Sequence, residues 1–78
     1  MAVVTVRYWA GAKRAAGVDH EMLAADTVGR LRAVLAERPA LLQLSVVASF
    51  LVDGQRAHDT TALGDGAEVD VLPPFAGG

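Results

Sequence analysis

Glu68-Val69-Asp70-Val71-Leu72-Pro73-Pro74-Phe75-Ala76-Gly77-Gly78 is the stretch on which the reading of this chain turns. Its first part alternates charged and branched apolar residues with the period of a β-strand. Its second part cannot extend a sheet, because proline fixes φ and has no backbone donor. Pro73 and Pro74 favour an extended polyproline path of about 3.1 Å per residue, which carries the Gly78 carboxylate roughly 19 Å beyond the body. Gly77 and Gly78 have no Cβ and lose the most backbone entropy on ordering, so they form a thin, adaptable end and add nothing to a core. The expected organisation is a folded body over 1–72 followed by a flexible C-terminal tail over 73–78.

Working back from that strand, Gly64-Asp65-Gly66 reads as the turn leading into it, with Ala62 and Leu63 packed under the preceding loop. Asp53-Gly54 is a tight-turn signal between a strand at about Ser49 to Val52 and a short edge piece at Gln55 to Ala57. Leu41 to Val47 is ambiguous: its leucines suit a short helix, its Val46-Val47 pair a strand, and we expect a helix or turn. The main helix starts at an Asp26 or Thr27 cap, presents Val28, Leu31, Val34 and Leu35 on one face, and turns Arg30, Arg32 and Glu37 outward. Gly29 weakens it, and Pro39 stops it near Arg38. At the N-terminal end, Ala2 to Trp9 alternates as a first strand, Gly11 to Gly17 reads as a turn, and Val18 to Ala24 returns as a second strand with Met22 and Ala24 inward. Strand, turn, strand, helix and further strands is the order of an α+β β-grasp: a mixed sheet of about four to five strands around one main helix. The last strand would lie centrally beside the first, which frees the tail.

Composition narrows the chemistry. At 78 residues the chain is one small domain, burying about 60% of the surface its unfolded form exposes. It has no cysteine, so neither a disulfide nor a side-chain thiolate is available. Val46 to Val52 is far shorter than the ~18 apolar residues of a membrane span, and a cytoplasmic protein without membrane attachment is expected. The net charge of −2 argues against a nucleic-acid partner. Six of seven basic residues precede position 40, and five of nine acids follow position 50. Glu68 and Asp70 would then form an acidic patch beside the tail, steering basic partners towards it. His20 and His58 are isolated, with no triad partners and no metal-ligand spacing, so no metal is expected. Tyr8 and Trp9 read as core and flank.

The carboxylate of Gly78 is a poor electrophile. It is ionised at neutral pH, and acyl chemistry there needs prior activation. Adenylation by ATP would provide it, with pyrophosphate leaving. A sulfur nucleophile would then give a thiocarboxylate, and an amine would give an amide or isopeptide. Taken alone, Gly77-Gly78 reads as a frayed end; its setting after a Glu-Val strand and Pro-Pro is what gives it meaning.

That setting carries a resemblance. Val4-Thr5-Val6-Arg7-Tyr8-Trp9-Ala10, the Gly17 turn, Thr27-Val28, Leu31, Leu35, Pro39, and Gly66-Ala67-Glu68-Val69 running into Pro73-Pro74-Phe75-Ala76-Gly77-Gly78 resemble the MoaD branch of the MoaD/ThiS sulfur-carrier family over essentially the whole chain. The resemblance implies a ubiquitin-like fold and a Gly78 that is adenylated by a partner resembling ubiquitin-activating enzymes, then converted to a thiocarboxylate by a sulfur donor. It implies a MoaE-like large subunit, in a heterotetrameric molybdopterin synthase, that receives the tail and builds the dithiolene of molybdopterin from precursor Z, cyclic pyranopterin monophosphate. No cofactor is bound by the carrier, and ATP is used by the activating partner. The catalytic side chains belong to those partners, so the chain is a carrier and co-substrate rather than an enzyme on its own. Gly78 bears the acyl group, Gly77 gives access to a channel, Ala76 lies between, and Pro73 and Pro74 set the reach. Phe75 is read as a docking anchor, with folding back onto the body as its alternative. Lys13-Arg14 replaces the family's usual Arg-Glu, and Ala67 replaces a common Asp, which alters partner surface rather than chemistry. Carriers for cysteine, thiamine or another metabolite share the tail. A ubiquitin-like modifier conjugated through Gly78 and a binding domain with an inert tail are the alternatives from other classes.

Overall fold

A computed structural model of the protein describes residues 1–74. The first strand, β1 (Val3–Tyr8), alternates as its sequence requires, with Val4, Val6 and Tyr8 buried. It leads through Trp9 and Ala10 into α1 (Gly11–Ala16), then β2 (His20–Ala24), α2 (Val28–Ala36), a 3-10 turn at Pro39–Leu41, α3 (Leu42–Val47), β3 (Ser49–Val52), β4 (Gln55–Arg56) and β5 (Glu68–Leu72). The strands form one mixed sheet in the order β2-β1-β5-β3-β4. β5 is parallel to β1 and antiparallel to β3, so it runs through the middle of the sheet as expected. α2 crosses the inner face and buries Val28, Leu31 and Leu35 against Phe50, Val69 and Val71. This is the β-grasp arrangement of a mixed sheet wrapped on one main helix. Among the described residues, no helix is long and apolar enough to cross a membrane.

Local signals explain most of these boundaries. Thr27 caps α2 by accepting the Arg30 amide at 3.1 Å on its hydroxyl, satisfying one of the donors that a helix start leaves free. Arg38 is extended before Pro39, which ends the helix. Asp53 and Gly54, at φ 49° and 85°, form the two left-handed positions of a tight hairpin between β3 and β4. Gly29 has a reason that helix propensity does not supply. Its amide donates to the Asp59 carbonyl at 2.9 Å, and a Cβ there would stand 3.1 Å from that oxygen.

Four expectations are corrected. Gly11 to Gly17 is a helix rather than an open turn, closed by Gly17 at φ 79° with its amide bonded to the Lys13 carbonyl. Six residues are too few to form a helix without tertiary support, and burial of Ala12 supplies it. Met22 and Ala24 face outward, with Met22 67% exposed. The β1–β2 register pairs Val4 with Leu23 and Val6 with Glu21, and side chains opposite one another share a face, so Glu21 and Leu23 turn inward. Ala62 is exposed in a bridge to Thr27, and only Leu63 packs inward. Arg32 turns back onto the protein: one terminal nitrogen donates to the carbonyls of Ser45 at 2.7 Å and Ala48 at 3.2 Å, and the guanidinium lies 4.7 Å from the Phe50 ring centroid.

Between β1 and α1, the Trp9 carbonyl accepts the Ala12 amide at 2.9 Å, and Ala10 sits at φ 50° and ψ −125°. That is the first central position of a type II′ turn, where glycine is preferred. A strained position of this kind costs about 1–3 kcal/mol, against about 0.4–1 kcal/mol for the extra unfolded-state freedom of glycine. Ala10→Gly is therefore expected to stabilise the protein by about 1 kcal/mol, read as a melting midpoint raised by about 4–8 °C.

Candidate functional site at the root of the tail

The parallel pairing of β5 with β1 brings their C-terminal ends together. The Trp9 amide donates to the Val71 carbonyl at 3.3 Å, and on the other side Ser49 stands opposite Leu72. The tail thus leaves the body between the β1–α1 corner and the start of β3. Of the site residues read from the sequence, Pro73 is half-buried and Pro74 exposed. Phe75, Ala76, Gly77 and Gly78 lie outside the described residues.

One side-chain cluster at this root was not foreseen. Asp70 is only 6% exposed although it lies on the outer face of the sheet. Its carboxylate accepts Arg7 Nε at 2.7 Å and Nη2 at 3.1 Å, and the Trp9 indole Nε1 at 3.0 Å. Burial works against its ionisation, but the hydrogen bonds from Arg7 and Trp9 outweigh it and hold the carboxyl below its ordinary range. The expected acidic patch is therefore corrected: Asp70 is already engaged, and Glu68 alone is exposed, 4.0 Å from Arg7. The signal existed in the sequence as opposite charges at Arg7 and Asp70, but only the register that places them side by side gives it meaning.

Beneath the corner, the buried Tyr8 hydroxyl donates to Glu21, whose carboxylate also takes both terminal nitrogens of Arg38, one of them at 2.6 Å. The Arg38 hydrogen bond, reinforced by Tyr8 against partial burial, holds the Glu21 carboxyl below its ordinary range. Burial, then the bond to Glu21, pushes the Tyr8 phenol up, so it remains a donor. Because both Glu21 and Asp70 are depressed in the folded state, their contribution is full above the unfolded carboxylate values of about 4 and is lost as the pH falls towards the folded ones. Glu21→Gln is expected to cost about 1.5–3 kcal/mol at neutral pH, in line with a hydrogen bond to a charged group. The gap between the two melting midpoints should close as the pH falls from about 5 to about 2.

Beside the cluster lies an open pocket of about 710 Å³ lined by Arg7, Trp9, Lys13, Arg14, Asp19 and His20, with the backbone of the corner behind them. Lys13 pairs with Asp19 at 2.7 Å. Trp9 is 49% exposed, and Arg7 lies 6.0 Å from its ring centroid. Among the described residues, no three His, Asp or Glu side chains are grouped to hold a metal ion.

Comparison with known proteins agrees with this geometry. The ThiS family profile matches residues 6–78. The molybdopterin synthase sulfur carrier subunit of Chlamydomonas reinhardtii is 32% identical over 81 residues, covering 96% of this chain and 98% of that protein. Among solved structures, the complex of subunits 1 and 2 of molybdopterin-converting factor from Helicobacter pylori matches at 27% identity and TM-score 0.76, covering 97% of this chain and 99% of that one. The small archaeal modifier protein 1 of Methanosarcina acetivorans matches at 26% identity and TM-score 0.82, covering 100% of this chain and 98% of that one. With a match along nearly its whole length and a β-grasp body that directs its last strand outward from the centre of the sheet, the chain belongs to the MoaD/ThiS sulfur-carrier family.

Proposed function

We propose that the protein is the sulfur carrier of a molybdopterin synthase, with residues 1–72 as the body and 73–78 as the working tail. The observation that carries this reading is the Pro73-Pro74-Phe75-Ala76-Gly77-Gly78 ending placed directly after a central strand, in a chain whose family match extends to residue 78. An activating partner resembling ubiquitin-activating enzymes binds ATP, and the Gly78 carboxylate attacks the α-phosphorus and releases pyrophosphate. A sulfur donor then attacks the acyl carbon, AMP leaves with the bond electrons, and Gly78 becomes a thiocarboxylate. Each thiocarboxylate delivers one sulfur to the pterin precursor and returns to a carboxylate by taking up the oxygen of water. A dithiolene therefore consumes two loaded carriers.

Pro73 and Pro74 hold the tail off the body, Gly77 lets it enter a narrow channel, and Phe75 anchors it to the large subunit. The carrier binds no cofactor of its own, and its need for an ATP-dependent activator fits a cytoplasmic setting. The subunit pairing in the Helicobacter pylori complex supports a large-subunit partner. Intact mass measurement of the chain purified from its native host tests the reading. Replacement of one oxygen by sulfur, mapped to the C-terminal peptide, is the expected result. A second reading, conjugation to lysines as a protein modifier, is favoured by the likeness to the Methanosarcina acetivorans protein. It predicts a branched Gly78 isopeptide in the same measurement. An unmodified carboxylate that stays inert with ATP, activator and sulfide overturns both.

A further inference from the structure

We propose that Asp70 and Trp9 are positioning residues, which clamp the root of the tail and so set the direction in which the glycine terminus is offered for activation; this rests on the sulfur-carrier reading above. Two hydrogen bonds close a ring at the end of the sheet. The Asp70 carboxylate accepts the Trp9 indole Nε1 at 3.0 Å, and the Trp9 amide donates to the Val71 carbonyl at 3.3 Å. Paired positions of β1 and β5 run from Thr5 with Glu68 to Tyr8 with Val71, so the ring lies one residue past the last pair. Immediately after Trp9 the chain turns away from the sheet through Ala10 at φ 50°. A backbone bond of 3.3 Å is long by itself, and the indole bond to Asp70 reinforces it where the pairing ends.

Arg7 orients the acceptor. Its Nε and Nη2 hold the two Asp70 oxygens at 2.7 and 3.1 Å, and a bidentate pair of this kind fixes the plane of the carboxylate, so the oxygen shared with Trp9 stays aimed at the indole. Stability does not call for this arrangement. Asp70 is buried on the outer face of the sheet, and a buried ion pair is often no better for stability than apolar side chains of similar volume. What a carboxylate with three such donors supplies is one geometry. That geometry lies directly ahead of Leu72, Pro73 and Pro74. Proline fixes φ, so a direction set at Val71 is carried forward into the tail rather than lost.

Trp9→Phe removes the indole donor and keeps an aromatic ring, and Asp70→Asn keeps the shape and removes the charge. Trp9 is half exposed, so its variant opens no core. Two measurements are made on each full-length chain: hydrogen exchange at the residue 9 amide, and single-turnover pyrophosphate release with ATP and the activating enzyme. Thr27→Ala, which loses the α2 cap, is the control for lowered stability. Exchange at residue 9 is expected to quicken by about tenfold or more in both variants. The saturating rate should fall by about tenfold while KM changes by less than about threefold, and Thr27→Ala should keep the wild-type rate. Unchanged exchange in both variants overturns the clamp. A KM that rises while the saturating rate holds also overturns it, because Trp9 would then be a partner contact, and so does an equal fall in rate in Thr27→Ala, which would make the effect one of stability. The two readings fail separately. A wild-type Gly78 that is inert with ATP and activator removes the sulfur carrier, and exchange at residue 9 still decides the clamp; an active Gly78 with unaltered rates in both variants removes only the positioning role.

Discussion

A chain cut after Ala76 is expected to melt where the full-length protein melts and to transfer no sulfur. The first half follows from the core. Among the described residues, the buried apolar side chains end at Val71, Leu72 and Pro73 are only half-buried, and Pro74 is exposed, and glycines have no side chain to add to a core. The second half follows from reach. Each residue removed draws the terminal carboxylate back by about 3.5 Å, and a misplacement of only 1 Å at a reacting centre can cost about a hundredfold. Removal of Gly78 alone should therefore already lower adenylation at least a hundredfold, and the truncated chain should still compete with the wild type for the large subunit through its body. Single-turnover adenylation with the activating enzyme, alongside thermal melting, separates the two effects. Retained transfer by the truncated chain would sink the assignment of Gly78.

Arg32→Ala is expected to be the most damaging of the polar substitutions to the fold, at about 2–3 kcal/mol. The last carbonyls of a helix have no partner within it. In α3 they are served by Arg32, whose Nη1 contacts the oxygens of Ser45 at 2.7 Å, Val46 at 3.4 Å and Ala48 at 3.2 Å. The same guanidinium meets Asp59 at 3.0 Å and covers the Phe50 ring. One side chain thus ties α2 to the end of α3, to the start of β3 and to the loop before Thr61. Ser45 is almost wholly buried, so truncation leaves its carbonyl without a donor in a place water reaches poorly. A domain of this size has about 4–12 kcal/mol in total, and the loss should appear as a midpoint lowered by roughly 10–20 °C. Arg32→Lys should recover part of it, because an ammonium keeps the charge but not the planar fork that spans several acceptors. A midpoint within about 2 °C of wild type would show that water serves those carbonyls as well as Arg32 does.

These two expectations also divide what local sequence specified from what folding decided. Elements whose cause lies within a few residues were legible: the alternation of β1, the Thr27 cap and Pro39 stop of α2, the Asp53-Gly54 hairpin, and the two prolines that end the sheet. The reading of Phe75, Ala76, Gly77 and Gly78 as site residues rests on local chemistry, and these four lie outside the described residues. α1 was missed because its six residues gain their stability from burial of Ala12 and not from propensity. The inward face of β2 was misassigned because alternation alone has two phases, and only pairing with β1 chooses between them. Asp70 and Arg32, both charged, read from sequence alone as solvent-facing. A charged side chain is buried only where distant partners neutralise it, and those partners are set by the parallel register of β1 with β5 and the packing of α3 on α2. The sequence by itself determined a β-grasp body whose last strand lies beside the first and runs into a proline pair. Tertiary structure alone decided which charges surround the root of the tail, because charge pairing depends on distances in space that separation along the chain does not encode.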